Sequence, residues 1–239
     1  MAAREIAPIG IAAALNWELA GFKAVCRPGN RSLLLEATGP GLVAADFGAH
    51  RLVERKAAIL VSWGTAGGLQ SGLVPGDLVL ADRVGRETGG WIDCDRRLTA
   101  RLESLVAAGR PVHRGAIVSV GQAVCKVYDK QRLARSSKAL AVDMESAAIA
   151  AVARQHGLPF LALRVVVDGV GQAVPPLAIA AMEGSGIRPG RVLAGLIKSP
   201  RQLSPLLALA FAGRRARTVL AECAGMLPAL ADDDPMEGG

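Results

Sequence analysis

Aromatic residues are scarce in this 239-residue chain, where four Phe, three Trp and one Tyr make up 3% of the sequence. A protein that grips nucleic acid by stacking bases on aromatic platforms has almost nothing to build with here. The net charge of +7 is the only feature pointing toward a polyanion, and an arginine- and alanine-rich composition accounts for most of it, so no nucleic-acid partner is expected. Cysteine is equally sparse. Cys26, Cys94, Cys125 and Cys223 form no CxxC pair and no ligand cluster with the three histidines, which reads as reduced thiols in a cytosolic protein with no metal and no cofactor. In the tail, the longest charge-free segment, between Arg201 and Arg214, has only twelve residues, against the roughly 20 needed to cross a bilayer. Near the start, a ten-residue apolar run ends at Leu15. Asn16, Trp17 and Glu18 follow in place of a signal-peptide cleavage region, so the run reads as a first strand.

With hydrophobic residues at 51% and charged residues at 21%, the chain is globular, and its length suits one domain of the larger α/β kind. Its organising stretch is VDMESAA, Val142 to Ala148, with two carboxylates at the threshold of a helix. SAAIAAVARQHG follows, an Ala-rich run that Gly157 can end in the left-handed conformation before Pro159 forbids continuation. FLALRVVV, Phe160 to Val167, is a β-branched apolar run of strand length that stops at Asp168 and Gly169. Ligands of open α/β sheets sit at the carboxyl ends of strands, which lets Glu145 and Asp168 face one pocket. Taken singly, either acid reads equally well as a helix-start charge or a turn residue.

VDMESAA followed by a strand carrying Arg164, Asp168 and Gly169 resembles the purine nucleoside phosphorylase and nucleosidase superfamily, closest to its methylthioadenosine/S-adenosylhomocysteine nucleosidase branch. The resemblance implies a single-domain, three-layer α/β/α fold with a central mixed sheet over the whole of 1–239. It implies that Glu145 binds the ribose hydroxyls, Met144 lines the sugar and Asp168 protonates the leaving purine. A homo-oligomer, with a dimer favoured, is the expected assembly.

Other phrases follow in order. The first strand, Ala7 to Leu15, ends near Glu18, which matches the family position that activates the attacking water. TGPG, Thr38 to Gly41, opens a helix reaching about Arg55, and the resemblance puts Pro40 near the substituent on the sugar's 5′ carbon. AAILVSW, Ala57 to Trp63, is the clearest central strand and runs into a Gly-rich turn, Gly64 to Leu69. That turn has neither the P-loop lysine nor a GxGxxG pattern, so binding of a nucleoside triphosphate or dinucleotide is not supported. It matches the family loop that frames sugar and nucleophile, here Thr65, Ala66 and Gly67. LVPGDLVLAD, Leu73 to Asp82, matches a further family phrase, turning at Pro75 and Gly76 into a strand.

Two positions depart from the pattern. Val124 stands where the nucleosidases put a phenylalanine against adenine, and Val167 stands where they have a serine that helps hold the acid. Without that hydroxyl, Asp168 is expected to be less well hydrogen-bonded as a carboxylate, with burial raising its pKa. Arg164 reads as a partner for the nucleophile or for Glu18, or as a structural ion pair.

Cleaving a ribosyl N-glycosidic bond calls for a proton donor to the purine, a clamp on the ribose and a nucleophile on the opposite face. A carboxylate at Glu18 repels phosphate and so favours water, leaving a phosphorylase as the alternative reading. A nucleobase-binding or storage protein on the same scaffold is the non-enzyme alternative. The resemblance covers about residues 7–171. Beyond them lie an apolar, arginine-rich extension over about 190–220 and a tail, 232–239, expected to be disordered. This phrase set is most similar to the hopanoid-associated subgroup, implicated in removing adenine from adenosylhopane. That similarity implies a lipid-linked nucleoside and a peripheral contact with the inner membrane surface, whereas an amphipathic reading of the extension competes with a core or interface helix.

Overall fold

A computed structural model of the protein describes residues 8–25, 32–107, 109–180, 182–183, 186–187 and 189–230. Cys26 and the tail at 232–239, expected above to be disordered, lie outside the described residues. In chain order the elements are β1 (Ile9–Ala13), α1 (Phe22–Val25), β2 (Leu33–Ala37), α2 (Leu42–Glu54), β3 (Ile59–Gly68), β4 (Leu78–Arg86), β5 (Trp91–Asp93), α3 (Arg96–Ala107), β6 (Val112–Ser119) and α4 (Val127–Ser137). They continue with β7 (Ala141–Asp143), α5 (Ser146–Gln155), β8 (Phe160–Asp168), α6 (Pro176–Ala180), the small pair β9 (Met182–Glu183) and β10 (Gly186–Ile187), α7 (Pro189–Lys198) and α8 (Leu203–Ala224).

Eight strands form one mixed sheet. The pairs β1–β2, β1–β3, β3–β8, β4–β6 and β6–β7 are parallel, while β3–β7, β4–β8 and β4–β5 are antiparallel. Following those pairings from β3 through β8, β4, β6 and β7 returns to β3, so five strands close a ring. One face of the sheet packs under α3 and α8 around Trp63, Leu78, Leu163, Ala216 and Leu220. The other packs under α2 and α5 around Ala45, Leu52, Ala148, Val152 and Ala162. Helices on both faces of one sheet make the α/β single-domain architecture that the motifs implied.

The Gly-rich stretch after Trp63 departs from its expected turn. It stays in β3 through Gly68, because Gly64 adopts φ 144° and a register irregularity falls between Ala66 and Gly67. These features bend β3 so that Gly67 pairs both with Asp168 of β8 and with Val142 of β7. The end of β8 and the VDME segment thereby meet at one bent strand. Gly157 takes φ 64° after α5, the left-handed stop its position predicted.

The C-terminal extension is neither all core nor all surface. The second half of α8 is buried at Ala216, Val219, Leu220 and Cys223, whereas Leu203, Leu207 and Phe211 of its first half are exposed, as is Ile197 of α7. No helix among the described residues is long and apolar enough to cross a membrane.

Candidate active site

Glu18 follows β1 on a turn, yet it is only 3% exposed, far from the solvated surface charge that an isolated Glu near a helix start suggests. Its Oε1 accepts hydrogen bonds from the Thr65 N–H and the Thr65 hydroxyl, both at 2.8 Å. Its Oε2 accepts from the Leu15 N–H at 2.9 Å. The buried Trp63 indole donates to its carbonyl at 3.0 Å. A Cβ at position 64 would stand 2.8 to 2.9 Å from the carboxylate atoms, so glycine is needed both for the φ of 144° and for the close approach of Glu18. Burial pushes the Glu18 carboxyl above its ordinary range, with Arg164 and the three donors pulling against it.

Glu145 lies just before α5 and is 6% exposed. Its Oε1 accepts from the Gly41 N–H at 3.0 Å, which ties the TGPG turn to the VDME segment. Burial and the neighbouring Asp143 charge push its carboxyl up to about 7 despite Arg164. Among the described residues, Glu18, Asp143 and Glu145 gather around the single cation Arg164, so this corner carries more negative than positive charge when all are ionised.

Of the two readings of Arg164, the structure gives the structural ion pair. It is 1% exposed, and its Nε donates to Asp143 Oδ2 at 2.8 Å. Its Nη2 donates to the hydroxyls of Ser62 and Ser146 at 2.8 and 3.1 Å. It approaches Glu145 Oε2 at 3.7 Å but does not line the cavity. The guanidinium lies in mid-strand on β8, behind the acids, where it orients Asp143 and Glu145 and is not presented to a ligand. Asp143 is the hub that sequence reasoning missed. It also accepts from Ser119 Oγ at 2.5 Å, from the Ser146 hydroxyl and from the N–H groups of Glu145 and Ser146 at the start of α5.

Asp168, at the end of β8, is 8% exposed. It was expected to be less well hydrogen-bonded because Val167 replaces a serine, and that expectation is corrected. Lys130, fully buried on α4, donates to Asp168 Oδ2, and an ammonium takes the place of the missing hydroxyl. Burial still pushes the Asp168 carboxyl above its ordinary range, with Lys130 acting in the opposite direction. Sequence reasoning missed Lys130 altogether. Its signal was there: a lysine three residues from both Val127 and Leu133 falls on the inward face of a helix.

The acids line one cavity of about 180 Å³, to which Glu18, Asp143, Glu145 and Asp168 belong. Pro40, Thr65, Ala66, Gly67, Val124 and Met144 line it as well. A second cavity of about 500 Å³ adjoins it. The two share Leu15, Thr65, Val167, Ala178 and Leu209. Leu196 of α7 and Leu203, Leu206, Leu207 and Ala210 of α8 line the larger one, with Trp17 on one side and Arg214 and Arg217 at its edge.

An acid-lined cavity at the ends of β3, β7 and β8 on a mixed sheet defines a class, and the sequence matches the model of that class, the phosphorylase superfamily, over residues 20–198. The chain belongs to this superfamily. A 5′-methylthioadenosine/S-adenosylhomocysteine nucleosidase of Actinobacillus succinogenes is 32% identical over an alignment of 166 residues, covering 60% of this chain and 71% of that protein. Among solved structures, the Helicobacter pylori 5′-methylthioadenosine/S-adenosylhomocysteine nucleosidase with butyl-thio-DADMe-Immucillin-A superposes with a TM-score of 0.71. It is 17% identical and covers 96% of this chain and 99% of its own. The futalosine hydrolase of Helicobacter pylori strain 26695 gives 0.69 at 17% identity, covering 91% and 97%. At these identities the structural likenesses establish the fold.

Proposed function

We propose that this protein hydrolyses the N-glycosidic bond of a purine nucleoside whose 5′ carbon carries a large apolar substituent, with adenosylhopane as the favoured substrate. Superfamily membership and the nucleosidase relative make the chain an enzyme that cleaves an N-glycosidic bond. In this reading Asp168 gives a proton to the departing purine, Glu145 holds the ribose hydroxyls and Glu18 takes a proton from the attacking water. Met144 and Pro40 bound the sugar and its 5′ side, and Val124 offers apolar packing to the base.

The observation that carries the choice of water is Glu18 itself. The Thr65 N–H, the Thr65 hydroxyl and the Leu15 N–H all donate to its carboxylate. A phosphate nucleophile would find these donors occupied and a negative charge already in place. Raised carboxyl pKa values suit both an acid that must hold a proton near neutrality and a base strong enough to take one. Anionic Glu18 and Glu145 also complement the positive charge that develops on the sugar.

The adjoining apolar chamber supports a bulky hydrocarbon at the 5′ carbon, because four of the five residues shared by the two cavities, Leu15, Val167, Ala178 and Leu209, are apolar. The exposed Ile197, Leu203, Leu207 and Phe211, with Arg201, Arg214 and Arg217 nearby, support delivery from an anionic membrane surface. A homodimer belongs to the same reading, favoured by Val43 and Phe47, which α2 leaves exposed. The test is adenine release from adenosylhopane, methylthioadenosine and adenosine, each with and without phosphate. Phosphate-independent release, fastest on adenosylhopane, is expected. Turnover that requires phosphate overturns the hydrolytic reading, and equal rates on all three overturn the apolar-substituent reading.

A further inference from the structure

Lys130 is the only buried one of the chain's six lysines. Its Nζ donates to Asp168 Oδ2, to the Gly169 carbonyl at 3.1 Å and to the Gln172 carbonyl at 2.7 Å. Three acceptors match the three N–H bonds of an ammonium and leave none over. A neutral amine, with two N–H bonds, would leave one of these acceptors without a donor. Burying a full charge is costly unless it is paired and hydrogen-bonded, so this arrangement selects the cation.

The carboxylate is also divided by its surroundings. Oδ2 is bonded to Lys130 and lies close to Gly67, where an added Cβ would stand 3.1 Å from it. Oδ1 accepts no hydrogen bond among the described residues, and Asp168 forms part of the cavity wall. One oxygen is therefore held from behind and the other is left for a ligand.

We propose that Lys130 is a positioning residue that sets the acidity of Asp168: its fixed ammonium stabilises the carboxylate left behind when Oδ1 passes its proton to the purine. The proposal rests on the reading of Asp168 as the general acid. As the C1′–N9 bond breaks, its electron pair moves onto the purine, N7 takes the Oδ1 proton and Asp168 becomes an anion. Solvent later restores that proton. A buried acid with no neighbouring cation would resist this step, because it would be left as an unpaired charge in an apolar wall. With Lys130 in place, the transfer turns a neutral acid beside a cation into a hydrogen-bonded ion pair, and the cation is already oriented before the reaction begins.

The same ammonium anchors the chain after β8. Gly169 and Gln172 lead to Val174, whose N–H donates to the Cys125 carbonyl at 2.9 Å, and Val174 lines the cavity. Other titratable groups near the pair are few. The Cys125 thiol, pushed up by burial and then by the Asp168 charge, is beside it, while Glu145 and Glu18 stand on other walls of the cavity.

The test compares wild-type protein with K130M and K130R on methylthioadenosine and on its N7-methylated counterpart, whose base already carries a positive charge and leaves without a proton. K130M is expected to lower kcat on methylthioadenosine by about 10 to 100-fold, part of the usual worth of general acid catalysis, with KM changed less than about threefold. Its alkaline limb should move up by about one pH unit, because the acid then holds its proton more tightly. The rate on the N7-methylated substrate should change little, and K130R should leave the limb near its wild-type position. Equal slowing on both substrates, or an unmoved limb, overturns the proposal. If K130M does not fold, lysine-15N-labelled wild-type protein decides the matter: a slowly exchanging ammonium signal at pH 7 is expected, and a neutral amine overturns the proposal. Wild-type protein that releases adenine from no adenosyl compound defeats the nucleosidase reading instead, before any variant is made.

Discussion

The reaction cavity and the chamber beside it share five residues, yet they are built from different parts of the chain. The cavity is made by the ends of β3, β7 and β8 and the segments that follow β1 and β7, and its charged groups are cross-tied through the Thr65 amide, Arg164 and Lys130. The chamber is made mainly by α8, with Leu196 of α7, and its wall is largely leucine and other apolar side chains, with Arg214 and Arg217 at the edge. Strands paired on both sides hold a side chain where register places it, which suits a proton transfer that fails if atoms shift by an ångström. Helices with one face buried and one exposed can vary in composition without disturbing the sheet, which suits the choice of substituent. In the proposed reading, chemistry resides in the paired strands and the choice of substituent in the appended helices.

Substitutions on the two sides of this boundary should separate rate from selectivity. The largest effects are expected in the cavity. Asp168→Asn should cut turnover on an unactivated purine nucleoside by roughly 10² to 10⁴ while leaving binding largely intact. Rapid-quench and steady-state assays on the same substrate check this, and near-normal turnover would assign the acid elsewhere.

Glu145→Gln should impair binding and turnover together, by roughly 10-fold or more in kcat/KM, the scale of a lost charged hydrogen bond. It also has a stability signature. The Glu145 carboxyl is raised from 4.5 to about 7 in the folded protein, so the native state favours its proton. That contribution is complete below about pH 4.5 and is lost as pH rises through about 7. Relative to wild type, Glu145→Gln should therefore become more stable between pH 5 and pH 8, by roughly 1 to 3 kcal/mol. Denaturant titrations at the two pH values would show it, and a constant difference between the proteins would contradict the raised pKa.

A change in the chamber should act on one substrate class alone. Leu206→Gln places an amide in an apolar wall and should lower kcat/KM for a lipid-linked nucleoside by about tenfold, equivalent to about 1.4 kcal/mol, with methylthioadenosine almost unaffected. Parallel losses on both substrates would mean that the two regions are not separable.

The smallest effect is expected at the rim. Changing Arg214, Arg215 and Arg217 together to Gln should weaken co-sedimentation with anionic liposomes, at about 1 kcal/mol per residue near the surface, and the residual binding should fall with salt. Binding that is absent from wild type, or indifferent to both changes, would leave the chamber without an electrostatic route to a membrane.

VDMESAA, the strand ending at Asp168 and the apolar run before Glu18 were legible because each is a local pattern: a helix start, a buried strand and a strand end, with residue types that chemistry restricts. A mixed α/β fold and the acids of the cavity followed from those patterns and the resemblance they carry. Tertiary structure alone decided which cation serves which acid. Arg164, four residues before Asp168, pairs with Asp143, because its place in mid-strand on β8 turns it toward β7 and α5. Lys130, 38 residues before Asp168, reaches that acid from α4, a helix whose Leu133 packs with Val118 of β6 and Val142 of β7. Sequence distance says nothing about such pairings, since strand register and helix packing set them over long stretches of chain. Sequence likewise could not divide the extension into a core half and a chamber half. A leucine-rich helix reads the same either way, and only its contact with the sheet determines which leucines remain uncovered.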